Sequence, residues 1–198
     1  MHWSANFDEV HDFENDIRGP QSGMGLMSDG EFERGTRSEP LGDPKAGVSA
    51  SLDALAAYVT TLDTFPRSPH RSADGSLTTE AEAGRGLFES AELGCTSCHA
   101  GPRLTDSVFL SPGVPLLHDV GTITEASGQR LGEPLVGLDT PTLRGLWNNR
   151  PFLHDGSAAT VLEVIVSAGD THGTTAGLSD SERAQLAAYL LSLDGTVD

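Results

Sequence analysis

Two cysteines are all this chain has. They stand in ELGCTSCHAGP as Cys95 and Cys98, with His99 directly after the second and Pro102 just beyond. If Cys95 to His99 turn as a helix, both sulfurs share one face. They can then reach the two vinyl groups of one porphyrin while His99 turns its ring onto the iron. That is the physical content of C-x-x-C-H as a covalent c-type haem site. Two other chemistries use paired thiols. A structural zinc site asks for four ligands, usually with a second pair at similar spacing, and no further cysteine exists. A redox C-x-x-C belongs in a βαβ setting, and no strand pattern flanks the motif. The reading is one covalent haem c with His99 as proximal iron ligand. Pro102 is expected on the proximal side, where a neighbouring backbone carbonyl can accept from the His99 Nδ1–H and fix its tautomer; a simple turn is the alternative. Arg103 and Arg144 are candidates for the haem propionates, since guanidinium matches carboxylate bidentately.

The elements that must hold this motif are helical. LTTEAEAGRGLFESAEL runs into it, and Gly84 and Gly86 beside Phe88 predict a face where another helix comes close. The partner is LSDSERAQLAAYLLSL, opened by a Ser179/Glu182 capping box and offering Leu186, Tyr189, Leu190 and Leu193. A short helix is expected at 160–168. The long segment 100–156 reads as loops wrapped over the haem. Upstream, residues 3–18 predict an acidic amphipathic helix stopped by Gly19-Pro20, with Asp8, Glu9, Asp12, Glu14 and Asp16 on a solvated face. Residues 20–48 read as a Gly/Pro/Ser loop. Ser49 or Ser51 caps a helix through LDALAAYVTTLDTF with Leu52, Leu55, Ala56, Val59 and Leu62 in one stripe. No second C-x-x-C-H repeats the first. The expected organisation is a helical and loop segment over 1–70 and a cytochrome c-like domain over 71–198, mainly α and loop-rich around one haem.

Composition limits the partners. Twelve basic residues against 29 acidic give a net charge of −17, which opposes nucleic-acid phosphates and anionic membrane surfaces. It suits a basic redox partner. No stretch approaches the roughly 20 apolar residues of a membrane span. The N-terminus lacks the basic and apolar regions of a signal peptide. Because haem is attached after export in bacteria, the chain is expected to be a mature portion or fragment of a periplasmic or extracellular protein.

Longer stretches carry a resemblance. CHAGPRLTD, HDVGT, LDTPTLRGLWNNRPFLHDGSAATVLEVI and LAAYLLSL are similar to the second haem domain of the dihaem cytochrome c peroxidase family, which includes the dihaem tryptophan-modifying enzyme of methylamine metabolism. HWSANFDEVHDFENDIRGP resembles the tail of that family's first domain. The resemblance implies a class I cytochrome c fold holding the electron-entry haem, with a peroxidatic haem domain upstream. It implies that His154 hydrogen-bonds between domains and does not ligate. It also implies a Met or Tyr ligand at a position where this chain has Ala168, which cannot bind iron. His172, in the same loop, is the candidate distal ligand; Met27, Met24, His118 or an open iron are the alternatives. The expected function is one-electron transfer. A peroxidase reducing hydrogen peroxide at an open iron, or a haem sensor of small ligands, are the rivals.

Overall fold

Hydroxyl caps start the longer helices. In the computed structural model, whose described residues are 3–35 and 43–195, the α-helices are α1 (Glu14–Arg18), α2 (Asp29–Gly35), α3 (Ala50–Thr60), α4 (Thr79–Phe88), α5 (Val161–Ala168) and α6 (Asp180–Ser192). Ser49, Thr78, Thr160 and Ser179 each accept a first-turn backbone N–H of α3, α4, α5 and α6, which satisfies donors that no intrahelical carbonyl can reach. The expected capping box at Ser179 and Glu182 is present, and Thr160 with Glu163 forms another. A short antiparallel hairpin, β1 (Phe109–Ser111) with β2 (Val114–Pro115), interrupts the loops.

The chain divides into two compact units. The first comprises Met1–Asp63 with Val108–Leu116 and Gln129–Glu133; the second comprises Thr64–Ser107, Leu117–Gly128 and Pro134–Asp198. Segments of the long loop are thus shared out between them, which a single cut near residue 70 does not capture.

The first unit departs from the expected solvated acidic helix. Residues 3–9 are not helical; a 3₁₀ turn at Val10–Phe13 leads into the short α1. Asp12 and Glu14 are buried. The reason lies in their partners. Asp12 Oδ1 meets Lys45 Nζ at 2.6 Å, the one lysine of the chain, whose amide donates to Glu9 at 2.8 Å. Glu14 accepts the amides of Leu26 and Met27 and the Arg18 Nε–H at 2.8 Å. Buried charges persist only when paired and hydrogen-bonded in this way. The loop expected over 20–48 also contains α2, opened by Ser28, whose Oγ donates to Glu31 at 2.7 Å.

In the second unit, α4 crosses α6 as expected, but one glycine makes the approach. A Cβ on Gly84 would meet the Gln185 carbonyl oxygen and Tyr189 Cβ, whereas one on Gly86 meets nothing within 4 Å. The expected contact face of Gly84 and Gly86 is therefore narrowed to Gly84, because Gly86 lies on the open side of α4. Phe88 packs on Tyr189 with ring centroids 5.3 Å apart. Leu77, Ala81, Leu143, Phe152, Val161, Ile165, Leu186 and Leu193 complete the core. Asp194, just past α6, is buried against Arg71 Nε at 3.2 Å and accepts the Ser68 amide at 3.0 Å.

Two predictions follow from these packings. Gly84→Val forces a side chain into the α6 backbone and lowers stability by about 1–3 kcal/mol, while Gly86→Ala raises it by about 0.5–1 kcal/mol; melting temperatures of the two variants check this. Burial raises the Glu14 pKa, but the Arg18 hydrogen bond and the Leu26 and Met27 amides more than offset it and hold the carboxylate below its ordinary value of 4.5. A carboxyl depressed in the fold stabilises above its unfolded value and loses that contribution as pH falls through the folded one. Hydrogen exchange at the Leu26 and Met27 amides should therefore lose protection as pH drops below 4.5, and Glu14→Gln should already show weakened protection at neutral pH.

Candidate haem site

The cysteine motif forms directly after α4. Gly94, at φ 70°, turns the chain into a 3₁₀ turn at Cys95–Ser97, and the His99 amide reaches the Cys95 carbonyl at 3.0 Å. That bond spans four residues, so the cysteines and histidine sit on one tight turn, as the spacing predicts. Both cysteines are free thiols and part-buried. Burial pushes the Cys95 thiol up.

His99 takes its orientation from a carbonyl. Its Nδ1 lies 3.3 Å from the Leu104 oxygen, and Leu104 adopts a left-handed φ of 52° that few bulky residues accept. With the Nδ1–H donated there, Nε2 is left as the ligating atom. The accepting carbonyl therefore comes from Leu104, while Pro102 and Arg103 are exposed. Burial pushes the imidazole below its ordinary range, toward the neutral form that binds metal.

The second imidazole comes from the loop after α5. Thr175 Oγ1 donates to the Ile165 carbonyl at 2.9 Å, and Thr171 Oγ1 donates to the Ala168 carbonyl at 2.8 Å. The Thr174 amide donates to the Leu93 carbonyl at 3.0 Å, beside the motif. A Cβ on Gly173 would lie 3.9 Å from Cys95 Sγ. These ties bring His172 to a ring-centre distance of 6.1 Å from His99, with planes tilted 40°. An iron bound axially between two imidazoles needs about 6 Å between ring centres, from two metal–nitrogen bonds of about 2.0 Å and about 1 Å on either side to each ring centre. Burial also holds His172 below its ordinary pKa range. The donor set fits a haem iron.

The other residues singled out by sequence fall elsewhere. Met27 is buried within the first unit, its amide bound to Glu14, and Met24 is almost fully exposed. Arg144 lies over the Phe65 ring at 5.6 Å. His154 bonds Ser127 Oγ at 2.9 Å and Thr122 Oγ1 at 3.2 Å. His118 bonds Asp106 at 2.8 Å, and with Cys98 these form a cluster whose donor atoms lie within 4.8 Å of one another. Sequence reading missed that cluster, because Cys98, Asp106 and His118 have no recognisable metal spacing. A thioether at Cys98 removes the thiolate that such a cluster would need.

No protein-family model matches the chain. It is 33% identical over 174 residues to the hydrazine synthase subunit gamma of Kuenenia stuttgartiensis, covering 72% of this chain and 48% of that protein. It is 30% identical over 178 residues to the cytochrome-c peroxidase IdrP2 of Pseudomonas sp. (strain SCT), covering 73% of this chain and 48% of that protein. The chain belongs to the cytochrome c peroxidase-like family. Its fold is also that of a Kuenenia stuttgartiensis hydrazine synthase structure, at TM-score 0.55 and 30% identity over 77% of this chain and 56% of that one. The likeness covers c-type haem and haem-based oxidoreductase chemistry. The chain spans about half the length of the curated relatives it matches. No described helix is long and apolar enough to cross a membrane.

Replacing Cys95 and Cys98 together by alanine should abolish covalent haem, read by haem staining of the denatured chain. Circular dichroism should show loss of much of the second unit's helix, because the haem would supply much of that unit's apolar core. Near-native dichroism and melting in the double variant would show that the aliphatic core organises this unit without haem.

Proposed function

We propose that this chain carries one covalent haem c and transfers single electrons, with Cys95 and Cys98 as thioether links and His99 and His172 as axial ligands. The observation that carries the reading is the 6.1 Å spacing of the two imidazoles, in a loop tied to the haem motif by its own backbone. When bound, the haem supplies a one-electron iron couple. The chain's part is to hold both imidazoles neutral and oriented: Leu104 fixes the tautomer of His99, and Thr171, Thr174 and Thr175 hold the loop that bears His172.

If both imidazoles held the iron, they would leave it no open position for peroxide or a gas, and His99 and His172 would serve electron transfer and not the peroxidase or sensor alternatives. Two imidazoles also give a lower potential than an imidazole with a thioether, which raises it. Such a centre suits accepting electrons from a low-potential donor. A redox protein with a basic face matches the net charge of −17, and a haem domain of peroxidatic type is a further proposed partner. Arg103 and Arg144 are the proposed partners for the haem propionates, because a guanidinium matches a carboxylate bidentately. Periplasmic or extracellular residence goes with covalent haem attachment.

His172→Ala, examined by visible absorption and resonance Raman spectroscopy in both redox states, tests the assignment. Loss of the low-spin bands with gain of carbon monoxide binding is the expected result. An unchanged low-spin spectrum would remove His172, and a methionine-to-iron charge-transfer band in the parent protein would hand the role to Met27 or Met24.

A further inference from the structure

Cys98, Asp106 and His118 come together apart from the two axial imidazoles. His118 Nε2 lies 2.8 Å from Asp106 Oδ2, and the Cys98 sulfur joins them with all three donor atoms within 4.8 Å of one another. The three residues are part-buried. The second carboxylate oxygen, Asp106 Oδ1, is buried with no hydrogen-bond partner among the described residues, an arrangement that folded proteins seldom leave unrelieved. One short segment frames the carboxylate and the imidazole. On either side of Asp106, Thr105 Oγ1 donates to the Thr140 carbonyl at 2.5 Å and Ser107 Oγ donates to Asp139 Oδ2 at 2.8 Å. The His118 amide donates to the Leu138 carbonyl at 2.9 Å, and the Leu138 amide returns the bond at 2.8 Å. Residues 138–140 thus hold two of the three donors, and the cysteine turn brings the third.

Thiolate, imidazole and carboxylate are the donors that zinc takes together. Zinc bonds of about 2.0–2.3 Å in a tetrahedral site place neighbouring donor atoms about 3.5 Å apart. Here the His118–Asp106 pair at 2.8 Å must open slightly, and the sulfur starts no more than 4.8 Å away. An ion therefore enters with shifts of about 1 Å, taking the place of the proton shared by His118 and Asp106. We propose that Cys98, Asp106 and His118 bind one zinc ion in the chain before haem is attached, with water in the fourth position, and that zinc and haem exclude each other there. The exclusion follows from the sulfur. In thioether formation the Cys98 S–H adds across a vinyl C=C, the sulfur bonding one carbon and the proton going to the other. A sulfur bonded in that way is no longer the thiolate that a metal needs. Zinc binding instead releases the thiol proton to solvent. Cys95 and His99 stand outside the donor set, so the zinc-loaded chain shields Cys98 alone, from oxidation and from haem, until the ion leaves. The site rests on the cluster; the exclusion rests on the reading of Cys98 as a haem link.

The test titrates cobalt(II), a spectroscopic stand-in for zinc, into the full chain made without haem-attachment machinery and stripped of metal under reducing conditions. Ion binding and local folding are coupled, so the haem-free chain need not be fully ordered beforehand. One equivalent should raise a thiolate-to-cobalt charge-transfer band that zinc then removes. Cys98→Ser should abolish the band and Cys95→Ser should keep it. Asp106→Asn and His118→Gln should each weaken cobalt binding at least about tenfold. Zinc should also slow the alkylation of Cys98 by iodoacetamide and leave Cys95 unprotected, read by peptide mass spectrometry. A band that needs Cys95 as much as Cys98, or that survives both Asp106→Asn and His118→Gln, assigns the ion to the C-x-x-C-H turn and overturns the site, as does the absence of any band. The haem-bearing chain should show no thiolate band, and one appearing there overturns the exclusion. Haem staining of that sample reports separately on the reading of Cys98 as a haem link.

Discussion

Gly84 has no side chain, and the α6 backbone passes where one would be. The arrangement of the second unit depends on that close approach. It lets Tyr189 lie over α4 and Phe88 against it, so the C-terminal end of α4 is held against the last helix. The chain leaving that end, from Ser90 to Cys95, begins from a rigid point. Packed interiors transmit position in this way because they tolerate little displacement. The cysteine turn therefore inherits its location from a helix crossing, and its thiols need no help from one another to be placed.

The second half of the site is fixed from the opposite end of the same core. Val161 and Ile165 bury one face of α5 in it, and the loop that follows is fastened by threonine hydroxyls to the carbonyls of Ile165, Ala168 and Gly169. One backbone bond, from Thr174 to Leu93, then ties it to the strand of chain ahead of Cys95. Two independently anchored segments thus converge on one gap. Loops that hold reactive groups over a rigid scaffold commonly work this way.

How much of this was legible follows from the range of each interaction. Caps and periodic helices are local, and Ser179 with Glu182 or Thr78 ahead of an apolar run announces a helix without any tertiary knowledge. The cysteine motif is local as well. What was not legible depended on distant partners. Asp12 read as a solvated acid because Lys45 lies 33 residues further on, and Glu14 because the Leu26 and Met27 amides that cover it come from the loop after its helix, although Arg18 pairs with it locally at i,i+4. Gly86 and Gly84 look alike in sequence, and which of them meets α6 depends on the rotation of α4 about its axis. The Leu104 carbonyl became the His99 partner through a left-handed backbone that no local signal in PRLTD demands.

The LAAY pattern, at residues 55–58 and again at 186–189, shows the same limit from the other side. Helical periodicity marks which face of α3 is apolar, but burial is a property of neighbours, and the same letters leave Tyr189 covered in α6 and Tyr58 exposed in α3.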